Sequence, residues 1–407
     1  MFYIDGLSSF KLAVILGIMT FSVYFLSNTH PPFEYKYYVY LAESLLQGRV
    51  DVPNLPSHYY DFVIFNDKKY IPFSYLPAAF VTPLVAIFGT HVSETRLSQV
   101  IGGINVFLLF LLIAKIGVSK NVATIVSLFF AFGTVHWYVS SIGWSWFFAH
   151  VLAIFFLLLA LLEIFGKRRF WLVGFLVTLA GLSRQPIFLS IPLVFLLAIY
   201  QEGVIGLNLK KIAYRLTIFL IGISIPTILL LFYNYARFGS FLEQGYLQLY
   251  QTYTSSNIAY TFYRNFVPPN TPHFGYMDIR NIPLSLYTMF FMVPDFIPRF
   301  PFIRPSPYGM SILLTSPLFI LVFISRVQKY LKYILWIAII FVALPTLLHY
   351  AQGWVQFGYR FILDYIVFLL ILLAFALKDR VSFLVVCLLF YSFLINLLGI
   401  NWAFGKI

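Results

Sequence analysis

Apolar runs long enough to cross a lipid bilayer recur throughout this chain of 407 residues. Eleven runs of about 15 to 22 residues approach the length that a helix needs to cross a hydrocarbon core ~30 Å thick. They lie at 10–28, 97–116, 121–139, 147–165, 170–184, 186–201, 213–233, 311–325, 333–350, 360–377 and 381–399. Because 61% of the residues are hydrophobic and only 10% are charged, a soluble surface is excluded. The sequence predicts an all-α integral membrane protein with about eleven transmembrane helices.

The formal net charge of +13 comes from 27 Lys and Arg residues against 14 Asp and Glu residues. Nucleic-acid-binding proteins cluster basic residues on a solvated face, whereas these residues stand between apolar runs. We therefore expect no nucleic-acid partner and attribute the charge to membrane topology. Cys387 is the only cysteine, which excludes an internal disulfide and a multi-cysteine metal site.

Basic residues mark every second loop between the apolar runs, as the positive-inside rule requires of cytoplasmic loops. The first run lacks a small-residue cleavage site, so we expect it to remain as an anchor with the N-terminus in the cytoplasm and the C-terminus outside. We expect a multi-pass protein of the plasma (inner) membrane. The basic residues on this side are Lys11, Lys115, Lys120, Lys167, Arg168, Arg169, Lys210, Lys211, Arg215, Arg326, Lys329, Lys332, Lys378 and Arg380.

This orientation leaves two large outer loops, 29–96 and 234–310, within a single polytopic domain, 1–407. The apolar stretch 70–89 would invert every later loop if it crossed the membrane, and it contains three prolines. We therefore predict a juxtamembrane or re-entrant segment at the outer face there.

The outer face is rich in arginine, although the positive-inside rule opposes positive charge there. Guanidinium groups bind phosphate oxygens in bidentate fashion and tolerate burial better than ammonium groups. The set as a whole predicts a phosphate-bearing ligand, with Arg184, Arg237 and Arg360 as candidate contacts. The alternative for any single arginine is a local carboxylate, such as Asp364 one helical turn after Arg360.

Two outer acids are candidates for proton transfer. Apolar residues recur at helical spacing between Tyr38 and Leu46, which predicts a short interfacial helix that ends at Gly48. Glu34 then lies at the N-terminus of that helix, where free N–H groups stabilise a carboxylate. The same position suits a general base beside a cavity. Asp61 is a second acid, and turn chemistry explains it equally well.

A second group of candidate residues lies where two runs meet on the outer side. His136 ends one run, and Trp144 and His150 open the next. We predict that these residues line the cavity. Two histidines without a cysteine or an adjacent carboxylate do not make a metal site, so we expect no metal.

The order of these features resembles the GT-C superfamily of membrane glycosyltransferases, particularly the bacterial branch near the protein O-mannosyltransferases and aminoarabinose transferases. The order is an acid after the first run, a helix ending in glycine, a proline-rich segment closing on Phe88–Gly89, and a late Tyr359–Arg360 pair. The similarity is best over 30–100 and 355–375, with looser support from 131–190 and 230–250.

The resemblance implies a hexosyl- or pentosyltransferase that moves a sugar from a polyprenyl-phosphate donor to an acceptor on the outer face. The acceptor, a lipid, glycan or protein, is not identified by the sequence. Glu34 falls on the position of the family's base, but Phe33 stands where protein mannosyltransferases carry an aspartate, which leaves Asp61 as an alternative or second acid. The expected transfer inverts the anomeric centre and needs neither metal nor cofactor.

The resemblance also implies donor contacts. Lys68 or Lys69 resembles a lysine that contacts the carrier phosphate, and Tyr359 and Arg360 resemble the late motif at the donor site. Two other functions remain open: a transporter or flippase of lipid-linked sugars, and a lipid-linked glycan polymerase or ligase. A transporter needs polar residues along a path to both faces, whereas a transferase needs only an outward cavity.

Overall fold

The structure, a computed structural model, is built almost entirely from α-helices. It describes residues 8–29, 31, 33–203, 208–255, 268, 271, 274–353, 355–377 and 381–405. Six described helices have the length and apolar composition to cross a membrane. They are α1 (Ser9–Ser27), α4 (Glu94–Lys115), α7 (Ser145–Ile164), α10 (Leu209–Phe238), α14 (Lys329–Leu348) and α16 (Phe383–Ala403).

Shorter helices occupy the remaining apolar runs. Helices α5 (Lys120–Phe132) and α6 (His136–Ile142) meet at an angle of 51° and together would make a seventh span. The others are α8 (Phe170–Ser183), α9 (Ile191–Gln201), α13 (Ile312–Thr315) and α15 (Ile366–Leu377), with 3₁₀ segments at Gln185–Ser190, Pro317–Ile324 and Arg360–Asp364.

Proline explains why two of these runs are not continuous α-helices. Pro186 and Pro317 each stand at the beginning of a 3₁₀ segment. Proline has no N–H, and it pushes the residue before it out of the helical region, so a helix tends to be interrupted there. The six long helices support a multi-pass membrane protein, while the count of eleven spans remains a prediction.

Helix α4 is the central packing partner, lying against α1 on one side and α7 on the other. Gly17 of α1 and Gly103 of α4 permit close approach, since a Cβ on Gly103 would lie 2.7 Å from the carbonyl oxygen of Gly17. Helix α8 packs between α7 and α10. The N-termini of α4 and α7 lie at the same end of the bundle, because both contact the segment before α2.

The first predicted outer loop contains α2 (Tyr37–Leu46), α3 (Leu76–Phe88), a short 3₁₀ turn (Gly89–His91) and an antiparallel hairpin of β1 (Val63–Phe65) and β2 (Lys68–Tyr70). The structure confirms the predicted helix, and Gly48 follows it with a φ of +71°. Helix α3 has 13 residues, about 20 Å at 1.5 Å per residue, so it is too short to cross a bilayer.

The second predicted outer loop contains α11 (Tyr246–Ser255), a 3₁₀ turn (Ile279–Asn281), α12 (Ile282–Phe290) and a second hairpin of β3 (Asp295–Phe296) and β4 (Ile303–Arg304). Helix α12 packs against α14. Much of the expected connection between α11 and the 3₁₀ turn lies outside the described residues.

Candidate active site

The beginning of α7 fixes the polypeptide between α1 and α2. The backbone N–H of Ser145 donates to the carbonyl of Tyr35 at 2.9 Å, and the Ser145 hydroxyl accepts from the N–H of Tyr37 at 2.8 Å. Trp144 donates through Nε1 to the carbonyl of Phe33 at 3.2 Å. These bonds hold the strand-like segment that carries Glu34 against the end of a buried helix.

Glu94, which the sequence analysis did not single out as a site residue, supplies the cap of α2. Its carboxylate is fully buried and accepts from the N–H of Val39 at 3.0 Å and from the Ser145 hydroxyl at 2.7 Å. The first turn of a helix has free N–H groups, and a carboxylate satisfies them. Glu94 follows Ser93 at the beginning of α4, so the sequence predicts a role for it in the first turn of α4. The sequence does not predict that Glu94 caps α2.

The structure corrects the interpretation of Glu34 as the helix cap. The residue at the N-cap position is Lys36, and no side chain caps α2 from there. Glu34 lies further from the helix, and its carboxylate accepts a short hydrogen bond from the Ser93 hydroxyl. Glu94 already accepts from the first turn of α2, so Glu34 is not needed as a cap and instead lines the neighbouring cavity.

Glu34 lines an open cavity of about 350 Å³. Its side chain is partly buried, and the nearby ammonium of Lys36 is directed elsewhere, donating to the carbonyl of Thr90 at 2.6 Å. The cavity walls combine this carboxylate with aromatic rings, a composition typical of small-ligand sites. The lining residues are Pro31, Phe33, Glu34, Lys36, Tyr40, Pro56, His58 and Tyr59.

The second candidate acid, Asp61, is bound to the same framework. Its carboxylate accepts from Nε1 of Trp146 at 2.8 Å, and its N–H donates to the Tyr37 hydroxyl at 3.0 Å. Nearby, the hydroxyl of Tyr59 donates to the carbonyl of Glu34 at 2.8 Å. The structure therefore brings the segments carrying both acids together through tyrosine hydroxyls.

Arg184 forms a buried ion pair that joins two distant parts of the chain. Its Nε and one terminal nitrogen each contact an oxygen of Asp364 at 2.9 Å, a bidentate arrangement. Nδ1 of His150 lies 2.8 Å from the same carboxylate, and both side chains are shielded from solvent. His150, in the second turn of α7, and Arg184, which follows α8, therefore share one carboxylate.

Asp364 is not the partner of Arg360, although the spacing allowed that alternative. Both residues belong to the 3₁₀ segment Arg360–Asp364 rather than to an α-helix. With three residues per turn, positions four apart point in different directions, so the i, i+4 pair does not form. The carboxylate faces Arg184 instead.

Arg360 is buried without a carboxylate at ion-pair distance among the described residues. Its guanidinium lies over the rings of Phe147 and Phe361, at 5.2 and 5.3 Å from their centroids. Nε and one terminal nitrogen have no hydrogen-bond partner.

Arg237 is a second buried guanidinium held by neutral groups. It donates to the carbonyl of Ile71 at 2.7 Å and to the side-chain oxygen of Asn234 at 2.8 Å, and it lies 4.1 Å from the ring centroid of Tyr233. Within the described part of the chain, no carboxylate reaches it. Arg237 therefore has no counter-ion among the described carboxylates, and it lies against the segment that precedes α3.

The other outer arginines in the described ranges mostly have local partners. Arg49 pairs with Asp51 at 2.6 Å and holds the pKa of that carboxyl below its usual value. Arg280 pairs with Asp278 at 2.8 Å and lowers its pKa to about 2. Arg96 donates to backbone carbonyls and to Gln99. Local contacts explain these arginines, whereas Arg237 and Arg360 each keep a buried guanidinium nitrogen without a hydrogen-bond partner.

Lys68 and Lys69 lie on strand β2, beside the end of α10. Lys68 is exposed, and the ammonium of Lys69 lies 5.3 Å from the ring centroid of Phe62. The next residue, Tyr70, packs its ring 5.5 Å from that of Phe238, which follows Arg237. The hairpin that carries the lysine pair therefore packs against the end of α10.

The three predicted cavity residues do not form one group. Trp144 contacts Tyr35 beside the cavity, with ring centroids 5.3 Å apart, and His150 belongs to the buried ion pair with Asp364. His136 is fully buried between helices, where it contacts the Tyr24 hydroxyl at 2.9 Å. The contacts of His136 indicate a packing role.

Tyr359 is also buried, with its ring 5.8 Å from that of Phe361. It therefore supports the segment that carries Arg360. In the described ranges no three His, Cys, Asp or Glu side chains group closely enough to hold a metal ion. The expectation of metal-independent chemistry remains a prediction.

Comparison with solved structures shows that the chain shares its fold with oligosaccharyltransferases. The chain is similar to the archaeal oligosaccharyltransferase AglB from Archaeoglobus fulgidus, solved in complex with an inhibitory peptide and a dolichol-phosphate. The TM-score is 0.53 at 14% identity, over 95% of this chain and 55% of that chain. For the apo crystal structure of the Archaeoglobus fulgidus oligosaccharyltransferase, the TM-score is 0.55 at 14% identity, over 98% and 56% of the two chains.

The chain thus spans about half the length of the oligosaccharyltransferases that it resembles. No protein-family model and no curated protein sequence matches it. At this identity the likeness establishes the fold alone, which the chain shares with these oligosaccharyltransferases. Placement in a particular bacterial branch remains a prediction.

Proposed function

We propose that this protein is a glycosyltransferase that moves a sugar from a polyprenyl-phosphate donor to an acceptor on the outer face of the membrane. The observation that carries the proposal is the buried guanidinium of Arg360, which lacks a carboxylate among the described residues. A buried, unpaired charge is costly unless a ligand completes it. A phosphate group offers two oxygens to the planar guanidinium, which binds them in bidentate fashion.

The shared fold also supports a polyprenyl-phosphate donor. One of the similar oligosaccharyltransferase structures contains a dolichol-phosphate, which is itself a polyprenyl-type phosphate. Arg237, Lys68 and Lys69 complete the cationic side of the proposed donor site. The carboxylate of Asp364 balances the charge of Arg184, so in the proposed site Arg184 contributes a hydrogen-bond donor. Tyr359 supports the segment that carries Arg360.

In the proposed transfer step the carboxylates of Glu34 and Asp61 handle the proton. Glu34 accepts the proton of the acceptor hydroxyl while the hydroxyl oxygen attacks the anomeric carbon. The bond from that carbon to the phosphate oxygen breaks, and its electron pair leaves with the polyprenyl phosphate, which the arginines stabilise. Attack opposite to the leaving group inverts the anomeric centre. Asp61, held by Trp146, is the supporting acid or the alternative base.

The donor is tested with purified protein in lipid nanodiscs. A panel of radiolabelled polyprenyl-phosphate hexoses and pentoses is added with and without membrane extract, and the release of free polyprenyl phosphate is followed. We expect extract-dependent release from at least one donor. Saturable binding of a donor without release from any of them would contradict the proposal and favour a transporter or flippase.

A glycan ligase or polymerase is the second candidate, because both similar structures are oligosaccharyltransferases. The same assay separates the two when polyprenyl-linked oligosaccharides are included. Release from monosaccharide donors supports the proposal, whereas release only from oligosaccharide donors supports the second candidate.

A further inference from the structure

The hairpin of β3 and β4 presents aromatic rings to the outside of the protein. Asp295 pairs with Arg304 and Phe296 with Ile303, and the N–H of Phe302 donates to the carbonyl of Arg299 at 2.6 Å. Three phenylalanines show 61% to 83% of their surface. They are Phe296, Phe300 and Phe302. Folded proteins rarely expose rings so fully without a partner surface.

The exposed rings continue an apolar surface that begins on a membrane helix. Helix α14, which has the length and composition of a transmembrane span, exposes apolar residues along one side, including Phe341 and Leu344. Helix α12 packs against α14 and exposes Leu286, while Phe291 and Val293 lead from it into the hairpin. Exposed apolar residues therefore continue from α14 through α12 as far as Val293, two residues before the hairpin begins at Asp295.

The charges beside these rings match a lipid surface. Arg299 is exposed, and in the described part of the chain no carboxylate lies within ion-pair distance of it. Arg304 pairs across the strands with Asp295 at 3.1 Å, and both remain largely exposed. Aromatic rings beside arginine are typical of segments at the boundary between headgroups and acyl chains.

We propose that the hairpin inserts Phe296, Phe300 and Phe302 into the bilayer leaflet at the outer end of α14, with Arg299 at the lipid phosphates. The occupant of this surface is the lipid bilayer itself. The inference does not depend on the proposed glycosyl transfer, because it rests on exposure, continuity and charge alone.

An inserted hairpin would also fix the level of the candidate donor site relative to the membrane surface. Gln356 connects the segment after the hairpin to the 3₁₀ segment that begins at Arg360. Its N–H donates to the carbonyl of Pro307 at 3.0 Å, and its side-chain amide donates to the carbonyl of Tyr308 at 2.8 Å. The side-chain oxygen of Gln356 accepts from the N–H of Arg360 at 3.3 Å. Insertion at one end would therefore hold Arg360 near the lipid headgroups.

Site-directed spin labelling tests the insertion directly. Cys387 is replaced by alanine, and single cysteines are placed at Phe296 and Phe300 for a nitroxide label. The labelled proteins are studied in nanodiscs, and collision rates with oxygen and with a water-soluble nickel chelate are compared. Asn54→Cys, exposed in the first outer loop, serves as the water-facing reference, and Ile225→Cys, exposed midway along α10, as the lipid-facing one.

We expect labels at 296 and 300 to collide more with oxygen and less with nickel than the label at 54, with values between those of the two references. Values equal to those at 54 would overturn the inference. Shielding from both reagents together with spin coupling between molecules would also overturn it, since a second copy would then cover the hairpin.

Discussion

The buried arginines of this protein differ in whether a carboxylate faces them, and this decides what each can bind. Arg184 already has both oxygens of Asp364, whereas Arg360 has aromatic rings and free nitrogens. Of these two arginines, Arg360 therefore has the nitrogens that are free to bind a phosphate. The sequence identified all three candidate arginines but could not rank them, because the partner of Arg184 lies 180 positions away.

Replacing Arg360 should weaken donor binding. A charge-assisted hydrogen bond contributes about 1.5–3 kcal/mol, so Arg360→Gln should raise the dissociation constant for polyprenyl phosphate roughly tenfold to a hundredfold. Equilibrium binding to protein in nanodiscs measures this, with Arg280→Gln as the matched control because Arg280 is exposed and paired with Asp278. Equal affinity in wild type and Arg360→Gln would remove Arg360 from the donor site.

Removing the charge of Asp364 should destabilise the protein. Asp364→Asn removes the buried carboxylate and leaves the partly buried guanidinium of Arg184 without its counter-ion, and breaking a buried pair costs about 3–5 kcal/mol. Asp295→Asn, which breaks an exposed pair, should cost at most about 1 kcal/mol. Reversible unfolding in detergent compares the two, and equal stability losses would contradict the structural role of the buried pair.

At the scale of the element, the first outer loop depends on a carboxylate from another helix. Glu94 of α4 satisfies the N–H of Val39 in the first turn of α2. The apolar spacing and Gly48 predicted the helix correctly, since both signals are local. The cap could not be predicted, because it joins helices 55 positions apart and Glu34 offered a closer alternative.

Replacing Glu94 should loosen α2. Glu94→Gln replaces one carboxyl oxygen, which accepts a hydrogen bond, by an amide nitrogen that cannot accept, and the lost or weakened bonds should cost about 1–3 kcal/mol. Hydrogen exchange of the amides in α2 measures the loss locally, with Glu43→Gln as control because Glu43 lies on the same helix and is only partly buried. Exchange that is as slow in Glu94→Gln as in wild type would show that the cap does not hold the helix.

At the scale of the molecule, the apolar runs predicted a helical membrane protein, and the six long helices agree. The sequence did not predict which runs bend or shorten, because the 3₁₀ segments after Ser316 and before Tyr365 depend on packing as well as on proline. Orientation follows from the basic loops alone, so it needs its own test.

The predicted orientation places Asn54 outside and Lys167 in the cytoplasm. Single cysteines at these positions, in a Cys387→Ala background, should react differently with a membrane-impermeant maleimide. Asn54→Cys should be labelled in intact cells, and Lys167→Cys only after permeabilisation. The opposite pattern would place the candidate site in the cytoplasm.

The most direct test of the central claim is a single-turnover measurement of polyprenyl-phosphate release by wild type, Glu34→Gln and Asp61→Asn, with donor binding measured in the same samples. General-base catalysis contributes about 10²–10⁴-fold, so Glu34→Gln should lose at least a hundredfold in rate while its donor affinity is retained. Asp61→Asn should lose less. Full turnover by Glu34→Gln would contradict the assignment of Glu34 as the base, and full turnover by both variants would contradict the proposed carboxylate mechanism.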